Sequence, residues 1–254
     1  MATSFLDPVF SPIFQPLLNK SPFFAVVILA LLITLIITIV YKYFTNQNEM
    51  KRLKDEQKDY QKRIKSLRDQ PKEAMKLQKE AMSKNMDYMK HSMKATLITF
   101  LPIILIFGWM NAHLGAEPIF PGETYSVTAQ FEKGVGGKAM LIPPAGTEII
   151  GSAEQDINSG ITWQLKSVKG EHDLKIKTND IEQTKKVIIT TDFTYAPAVE
   201  TYDHSDIKSI TINYKPLKPL GKYTLLGWKP GWLGLYIIFS IVFSIGLRKL
   251  LKVY

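Results

Sequence analysis

The chain has 254 residues, of which 46% are hydrophobic, and a net charge of +9 at neutral pH. It contains no cysteine, which excludes disulfide bonds and thiolate sites, and its four histidines are scattered without metal-ligand spacing. The sequence has no phosphate-binding loop, nucleophile elbow, zinc-protease motif or dinucleotide fingerprint. We therefore expect a protein that is not an enzyme and has no cofactor.

The N-terminal segment, residues 1–21, mixes Phe, Leu and Ile with prolines. Because proline lacks an N–H and clashes with the preceding turn, these residues argue against one continuous helix. The apolar content favours a segment lying at the outer membrane interface, and a disordered tail is the alternative.

Three apolar runs predict transmembrane helices at residues 22–44, 95–115 and 228–248. The first contains 19 uncharged residues, 23–41, and the third is short for a bilayer. Buried core helices of a soluble protein are the alternative, but the remaining sequence supplies no polar shell large enough to cover them. A cytosolic tail, 249–254, follows the third span.

Residues 45–94 predict an antiparallel coiled-coil hairpin, because apolar positions recur at steps of three and four on both sides of Pro71. The predicted inward positions are Met50, Leu53, Gln57, Tyr60, Ile64 and Leu67 on the outgoing arm, and Met75, Gln78, Met82, Met86, Met89 and Met93 on the returning arm. Core packing is the expected role of Met75 and Met82. Met86, Met89 and Met93 are candidates for contact with a hydrophobic client.

The hairpin is basic, with 14 lysines and arginines against 8 aspartates and glutamates. This excess predicts that the hairpin is cytosolic, with the N-terminus outside and the C-terminus inside the cell membrane. The charges are those of an ordinary solvated face, or they attract the RNA of a ribosome or a targeting factor. The candidate contacts are Lys51, Arg52, Lys62, Arg63, Lys65 and Arg68.

The spans carry small polar residues that fall on one face of each helix. Such faces commonly serve helix packing, and the alternative is that they converge on a hydrated intramembrane groove. The groove candidates are Thr34, Thr38, Thr96, Thr99, Asn111, Ser240 and Ser244.

Residues 116–227 predict an extracytoplasmic all-β domain. About seven strand-like runs alternate with turn signals, which suits an immunoglobulin-like sandwich with Trp163 in its core. The domain carries no chemistry that we recognise, so we expect a scaffold or a docking module.

The run MDYMKHSMKATLITFLPIILIFGWMNAHL, residues 86–114, resembles the archaeal three-span proteins of the YidC/Oxa/Alb insertase superfamily. Eukaryotic relatives are the insertase subunit of the ER membrane protein complex, the TMCO-type protein and the Get/WRB receptor. The resemblance covers residues 1–115 and, more loosely, the third span. The β domain is a departure that resembles an appended ectodomain.

The resemblance implies a membrane-protein insertase or chaperone that takes hydrophobic segments from the ribosome or a targeting factor into an intramembrane groove, without hydrolysing nucleotide. The implied partners are nascent membrane proteins, the bilayer and small membrane subunits, with no small-molecule substrate. Bacterial members place an arginine in the groove, whereas the nearest basic residues here, Lys42, Lys94 and Arg248, are expected at the cytosolic rim. The alternatives are an ion-conducting or regulatory membrane protein, and a structural receptor or adaptor.

Overall fold

The structure, a computed structural model, describes residues 6–67, 69–179 and 181–253, without the side chains of Asp87 and His91. It divides into two compact units, one formed by Met1–Ala25 with Gly108–Trp232 and the other by Val26–Phe107 with Leu233–Tyr254. The helices are α1 (Asp7–Lys20), α2 (Pro22–Phe44), α3 (Gln47–Ser66), α4 (Pro71–Leu114) and α5 (Trp232–Leu251). The strands are β1 (Thr124–Phe131), β2 (Lys138–Ile142), β3 (Thr147–Ile150), β4 (Glu154–Asp156), β5 (Gly160–Ser167), β6 (Gly170–Thr178), β7 (Ile181–Ile189), β8 (Val199–Thr201) and β9 (Ile207–Ile212).

Within the described residues, three helical segments are long and apolar enough to cross a membrane: Pro22–Phe44, Ser92–Leu114 and Trp232–Leu251. Large apolar side chains on these helices are exposed, among them Ile36 and Leu101. Soluble proteins rarely expose apolar surface on this scale, whereas helices in lipid do so without cost. The helices therefore fit a multi-pass membrane protein into which a β region is inserted.

The third span differs from its predicted bounds. It begins at Trp232 instead of residue 228, because residues 225–228 form a tight turn closed by two backbone hydrogen bonds. It also continues to Leu251, so its 20 residues extend ~30 Å and match the hydrocarbon thickness of a bilayer. The expectation that the third span is short for a bilayer is therefore wrong.

Helices α3 and α4 form a hairpin. The side-chain oxygen of Asn46 caps α3 by accepting hydrogen bonds from the backbone N–H groups of Asn48 and Glu49. Helix α4 begins at Pro71, a position at which a backbone N–H would have no partner within the helix, so the missing N–H of proline costs no hydrogen bond. Between the helices, Gln57 Nε2 donates to Asn85 Oδ1 at 2.8 Å. Nearby, Lys84 Nζ lies 4.0 Å from a carboxylate oxygen of Glu56. The two helices therefore run antiparallel, and their coiled-coil packing stays a prediction.

The inward face of α3 includes the expected positions. Met50 and Leu53 are buried, and the others are half-buried: Gln57, Tyr60, Ile64 and Leu67.

The inward face predicted for α4 is wrong, because Gln78 and the methionines at its other positions are exposed. The less exposed stripe lies one or two residues earlier and consists of Ala74, Leu77, Ala81, Lys84 and Tyr88. One residue rotates a helix by ~100°, which is enough to turn the methionines outward.

Helix α1 is continuous, so the expectation that its prolines prevent one helix is wrong. Pro8 lies in the first turn, where no N–H partner is needed. Pro12 and Pro16 follow at steps of four, so the two lost hydrogen bonds fall on the same side of the helix. Apolar packing offsets that loss, since Phe14 is buried with its ring centroid 5.7 Å from that of Trp109.

Side chains of α1 also bind the loop after β7. Gln15 Nε2 donates to the carbonyl oxygen of Phe193 at 2.7 Å, and the N–H of Phe193 donates to Asn19 Oδ1 at 2.8 Å. Residues 7–20 are therefore an ordered part of their unit, which excludes the alternative of a disordered tail over this range. Their position at a membrane interface stays a prediction.

The β region consists of two antiparallel sheets, with strand orders β3-β5-β1-β9-β8 and β4-β2-β6-β7. All seven predicted strand-like runs contain strands, and β4 and β8 are short additions. Alternate residues of β5 are buried, and Trp163 lies in the core as predicted, with Nε1 donating to the carbonyl oxygen of Ala153 at 2.9 Å. The immunoglobulin-like assignment stays a prediction.

An ion pair between Lys185 and Glu200 connects the two sheets. Lys185 on β7 is 1% exposed, and its Nζ lies 3.2 Å from a carboxylate oxygen of Glu200 on β8, whose side chain is 49% exposed. Burial lowers the pKa of Lys185, because removal from water disfavours the charged ammonium, and the carboxylate opposes this shift.

Candidate functional site

Polar side chains of α2 and α5 meet in an open cavity of about 340 Å³, here called the α2–α5 groove. Thr34 and Thr38 line it from α2, and Ser240, Ser244 and Arg248 line it from α5. The rest of the lining consists of Ile37, Tyr236, Ile241 and Ile245. The groove therefore combines five hydroxyl groups, one of them the phenol of Tyr236, and one guanidinium with apolar walls.

The groove hydroxyls are mostly bonded to their own helices. Thr34 Oγ1 donates to the carbonyl oxygen of Ala30 at 2.6 Å, and Thr38 Oγ1 donates to that of Thr34 at 2.7 Å. Ser240 Oγ donates to the carbonyl oxygen of Ile237 at 2.9 Å. Such bonds use the hydroxyl proton but leave lone pairs, so these oxygens can still accept hydrogen bonds.

Arg248 provides the positive charge of the groove and is held by neighbouring groups. Its guanidinium carbon lies 5.0 Å from the ring centroid of Tyr41, within the range of a cation–π contact. The hydroxyl of Tyr41 lies 3.3 Å from that of Tyr88 on α4. These contacts fix the direction of the guanidinium beside the groove.

Three predicted groove residues do not line this cavity. Thr99 is buried and donates to the carbonyl oxygens of Ala95 and Thr96, while Thr96 is exposed and donates to that of Ser92. Asn111 is exposed and belongs to the other unit. The groove is therefore made by two of the three apolar helices.

Arg248 and Tyr236 are the groove residues that sequence reasoning missed. A signal was available, because Tyr236, Ser240, Ser244 and Arg248 are spaced by four and so form one stripe along α5.

The exposed methionines of α4 form a second apolar surface, here called the methionine stripe: Met75, Met82, Met86, Met89 and Met93. Each is between 53% and 64% exposed. The expectation that Met75 and Met82 pack in the hairpin core is therefore wrong. All five side chains are available to a partner.

The basic candidates of the hairpin have different surroundings. Lys51, Lys62 and Lys65 are exposed, and Arg63 lies 3.9 Å from a carboxylate oxygen of Asp59. Arg52 binds both Glu49 and Glu56, which neutralises much of its charge locally. Arg68 lies outside the described residues.

Across the part of the chain that the structure describes, no group of three or more His, Asp or Glu side chains could hold a metal ion.

A comparison with family models finds a match to the family described as "Integral membrane protein EMC3/TMCO1-like" over residues 7–141, which is more than half of the chain. The matched residues include α2, the hairpin and the span on α4, but not α5. No curated protein and no solved structure matches at a significant level.

Proposed function

The chain belongs to the EMC3/TMCO1-like family of integral membrane proteins, part of the YidC/Oxa/Alb insertase superfamily, and on this basis we propose that it is a membrane-protein insertase or chaperone. The observation that carries the proposal is the α2–α5 groove, which brings hydroxyl groups and a guanidinium together on helices that are otherwise apolar. The protein would act without hydrolysing nucleotide, because the groove lowers the free-energy barrier to moving a client segment into the bilayer.

The barrier lies in moving the polar flank of a client through hydrocarbon. A charged side chain at the centre of a bilayer costs about 2.5–3.5 kcal/mol on insertion scales. The groove reduces this cost because the hydroxyl oxygens of Thr34, Thr38 and Ser240 accept hydrogen bonds and Arg248 donates them. The apolar client segment then leaves the open groove for lipid, where it is more stable.

The methionine stripe is the proposed site at which clients arrive. Flexible thioethers adapt to apolar segments of different shapes, so an exposed row of them suits many clients. Met86 and Met89 precede the span on α4 and Met93 is its second residue, so the three side chains would pass a client toward the membrane.

The proposed orientation puts the N-terminus and the β region outside the cell membrane and the hairpin, packed as a coiled coil, in the cytosol. The basic excess of residues 45–94 supports it. In that compartment the exposed Lys51, Lys62 and Lys65 would attract the RNA of a ribosome or a targeting factor. The resemblance of residues 86–114 supports an origin in the archaeal three-span branch, and the immunoglobulin-like β region would act as a docking module.

Site-specific crosslinking tests the proposal. A photoreactive residue at Ser244, which lines the groove, should capture nascent transmembrane segments. The matched control is Val242, an exposed residue on another face of α5 that does not line the groove. Equal capture at the two positions would contradict the proposal. Capture of resident membrane subunits alone would indicate a receptor, and ion flux through purified vesicles would indicate a channel.

A further inference from the structure

The segment that joins the β region to α5 contains a tight hairpin at residues 225–228. The N–H of Leu225 donates to the carbonyl oxygen of Trp228 at 2.8 Å, and the N–H of Trp228 donates back at 3.0 Å. The two residues between them, Leu226 and Gly227, have φ of 51° and 81°. Positive φ at both central residues is the signature of a type I′ turn.

Leucine is a poor residue for the first central position of this turn. Positive φ brings its Cβ against the backbone, and Asn, Asp or Gly normally occupies the position. The side chain of Leu226 is also fully exposed, so no packing within the chain compensates for the strain. The stability of the turn therefore gives no reason for a leucine here, and strain of this kind points to a function.

The surroundings of Leu226 are apolar and basic. Tyr223, Leu225 and Trp228 are exposed, which makes a contiguous apolar tip over residues 223–228. Lysines flank the tip at positions 218, 222 and 229, and residues 217–231 contain no acidic side chain.

The tip is close in sequence to a candidate membrane span. Trp232 begins α5, a candidate span, four residues after Trp228. Four residues extend at most ~14 Å, so the tip cannot be far from the bilayer surface at which α5 begins. Tryptophan, tyrosine and lysine are also the residues that anchor proteins at this depth.

We propose that residues 223–228 insert into the boundary between headgroups and acyl chains at the end of the membrane where α5 begins, with the flanking lysines binding anionic lipid phosphates. The partner is the lipid surface, not another protein. Leu226 is the deepest residue because it occupies the apex of the turn. The inference requires that α5 spans the membrane, and it is independent of the insertase proposal.

The absence of native cysteine allows a direct test in the full chain. Leu226→Cys is labelled with a polarity-sensitive fluorophore, and the protein is reconstituted into vesicles of phosphatidylcholine and phosphatidylglycerol at a ratio of roughly 7:3, so that anionic phosphates are present. We expect a blue-shifted emission and strong quenching by lipids that carry a shallow doxyl group. The matched control is Val168→Cys, an exposed turn position between β5 and β6, where we expect quenching by aqueous iodide instead.

A second variant separates lipid contact from folding. Leu226→Asn suits the type I′ turn, so the β region should keep its thermal stability. With the fluorophore on Tyr223→Cys, this substitution should lower doxyl quenching severalfold. Iodide quenching at Leu226→Cys equal to that at Val168→Cys would overturn the proposal. Protection from iodide without doxyl quenching would also overturn it, because a protein partner would then cover the tip.

Discussion

Replacing Arg248 with Gln removes the one positive charge that lines the α2–α5 groove and keeps a polar side chain. A groove of about 340 Å³ brings a client carboxylate within roughly 8 Å of the guanidinium. Two unit charges at that distance attract by about 2 kcal/mol at an effective dielectric constant of about 20. Because the groove is open, water and salt reduce this attraction to between about 1 and 2 kcal/mol. Insertion of a client with an acidic flank should therefore slow by roughly five- to thirtyfold.

The assay compares two clients that share one transmembrane segment and differ only in carrying Asp or Asn in the translocated flank. Protease protection in reconstituted vesicles measures their insertion rates. Arg248→Gln should slow the Asp client and leave the Asn client within about twofold of the wild-type rate. Arg248→Lys is the control, because it keeps the charge and loses the planar contact with Tyr41. Equal slowing of both clients would refute the electrostatic role and indicate a structural one.

The other predictions concern the hairpin and the β region. Replacing Met86, Met89 and Met93 together with Ser should reduce crosslinking of nascent segments to the hairpin, whereas Met→Leu replacements should preserve it. Unchanged crosslinking in the Ser variant would exclude the methionine stripe as the arrival site. Glu200→Ala should destabilise the β region by about 1–3 kcal/mol, because it leaves the buried ammonium of Lys185 without its hydrogen-bond acceptor. Lys185→Met should be neutral or stabilising. Hydrogen exchange of β6 and β7 measures both variants, and equal losses of protection would contradict the prediction. Burial raises the pKa of Tyr202 to about 12. Because the unfolded phenol titrates near pH 10, its contribution to stability is complete below about pH 10 and is lost between about pH 10 and 12. Tyr202→Phe should flatten part of this alkaline loss in a chemical denaturation series, and an unchanged pH profile would contradict the assignment.

The sequence alone determined the elements whose signals are local. The first span was predicted with the bounds that α2 has, because a long uncharged apolar run satisfies its backbone in lipid only as a helix. The predicted β strands follow from alternation of polar and apolar residues, which depends on the side-chain period of an extended strand. Trp163 was assigned to the core from that alternation.

Features that depend on contacts between distant segments were decided by the tertiary structure. Adjacent stripes of α4 both repeat at steps of three and four, and only packing against α3 selected the stripe of Leu77 over that of the methionines. Apolar packing on Trp109 outweighed the hydrogen bonds that prolines remove from α1. The spacing by four along α5 places Arg248 on the same stripe as Ser240 and Ser244, but it does not say which helix that stripe faces. Arg248 lines a groove because α5 lies beside α2, which only the tertiary structure decides.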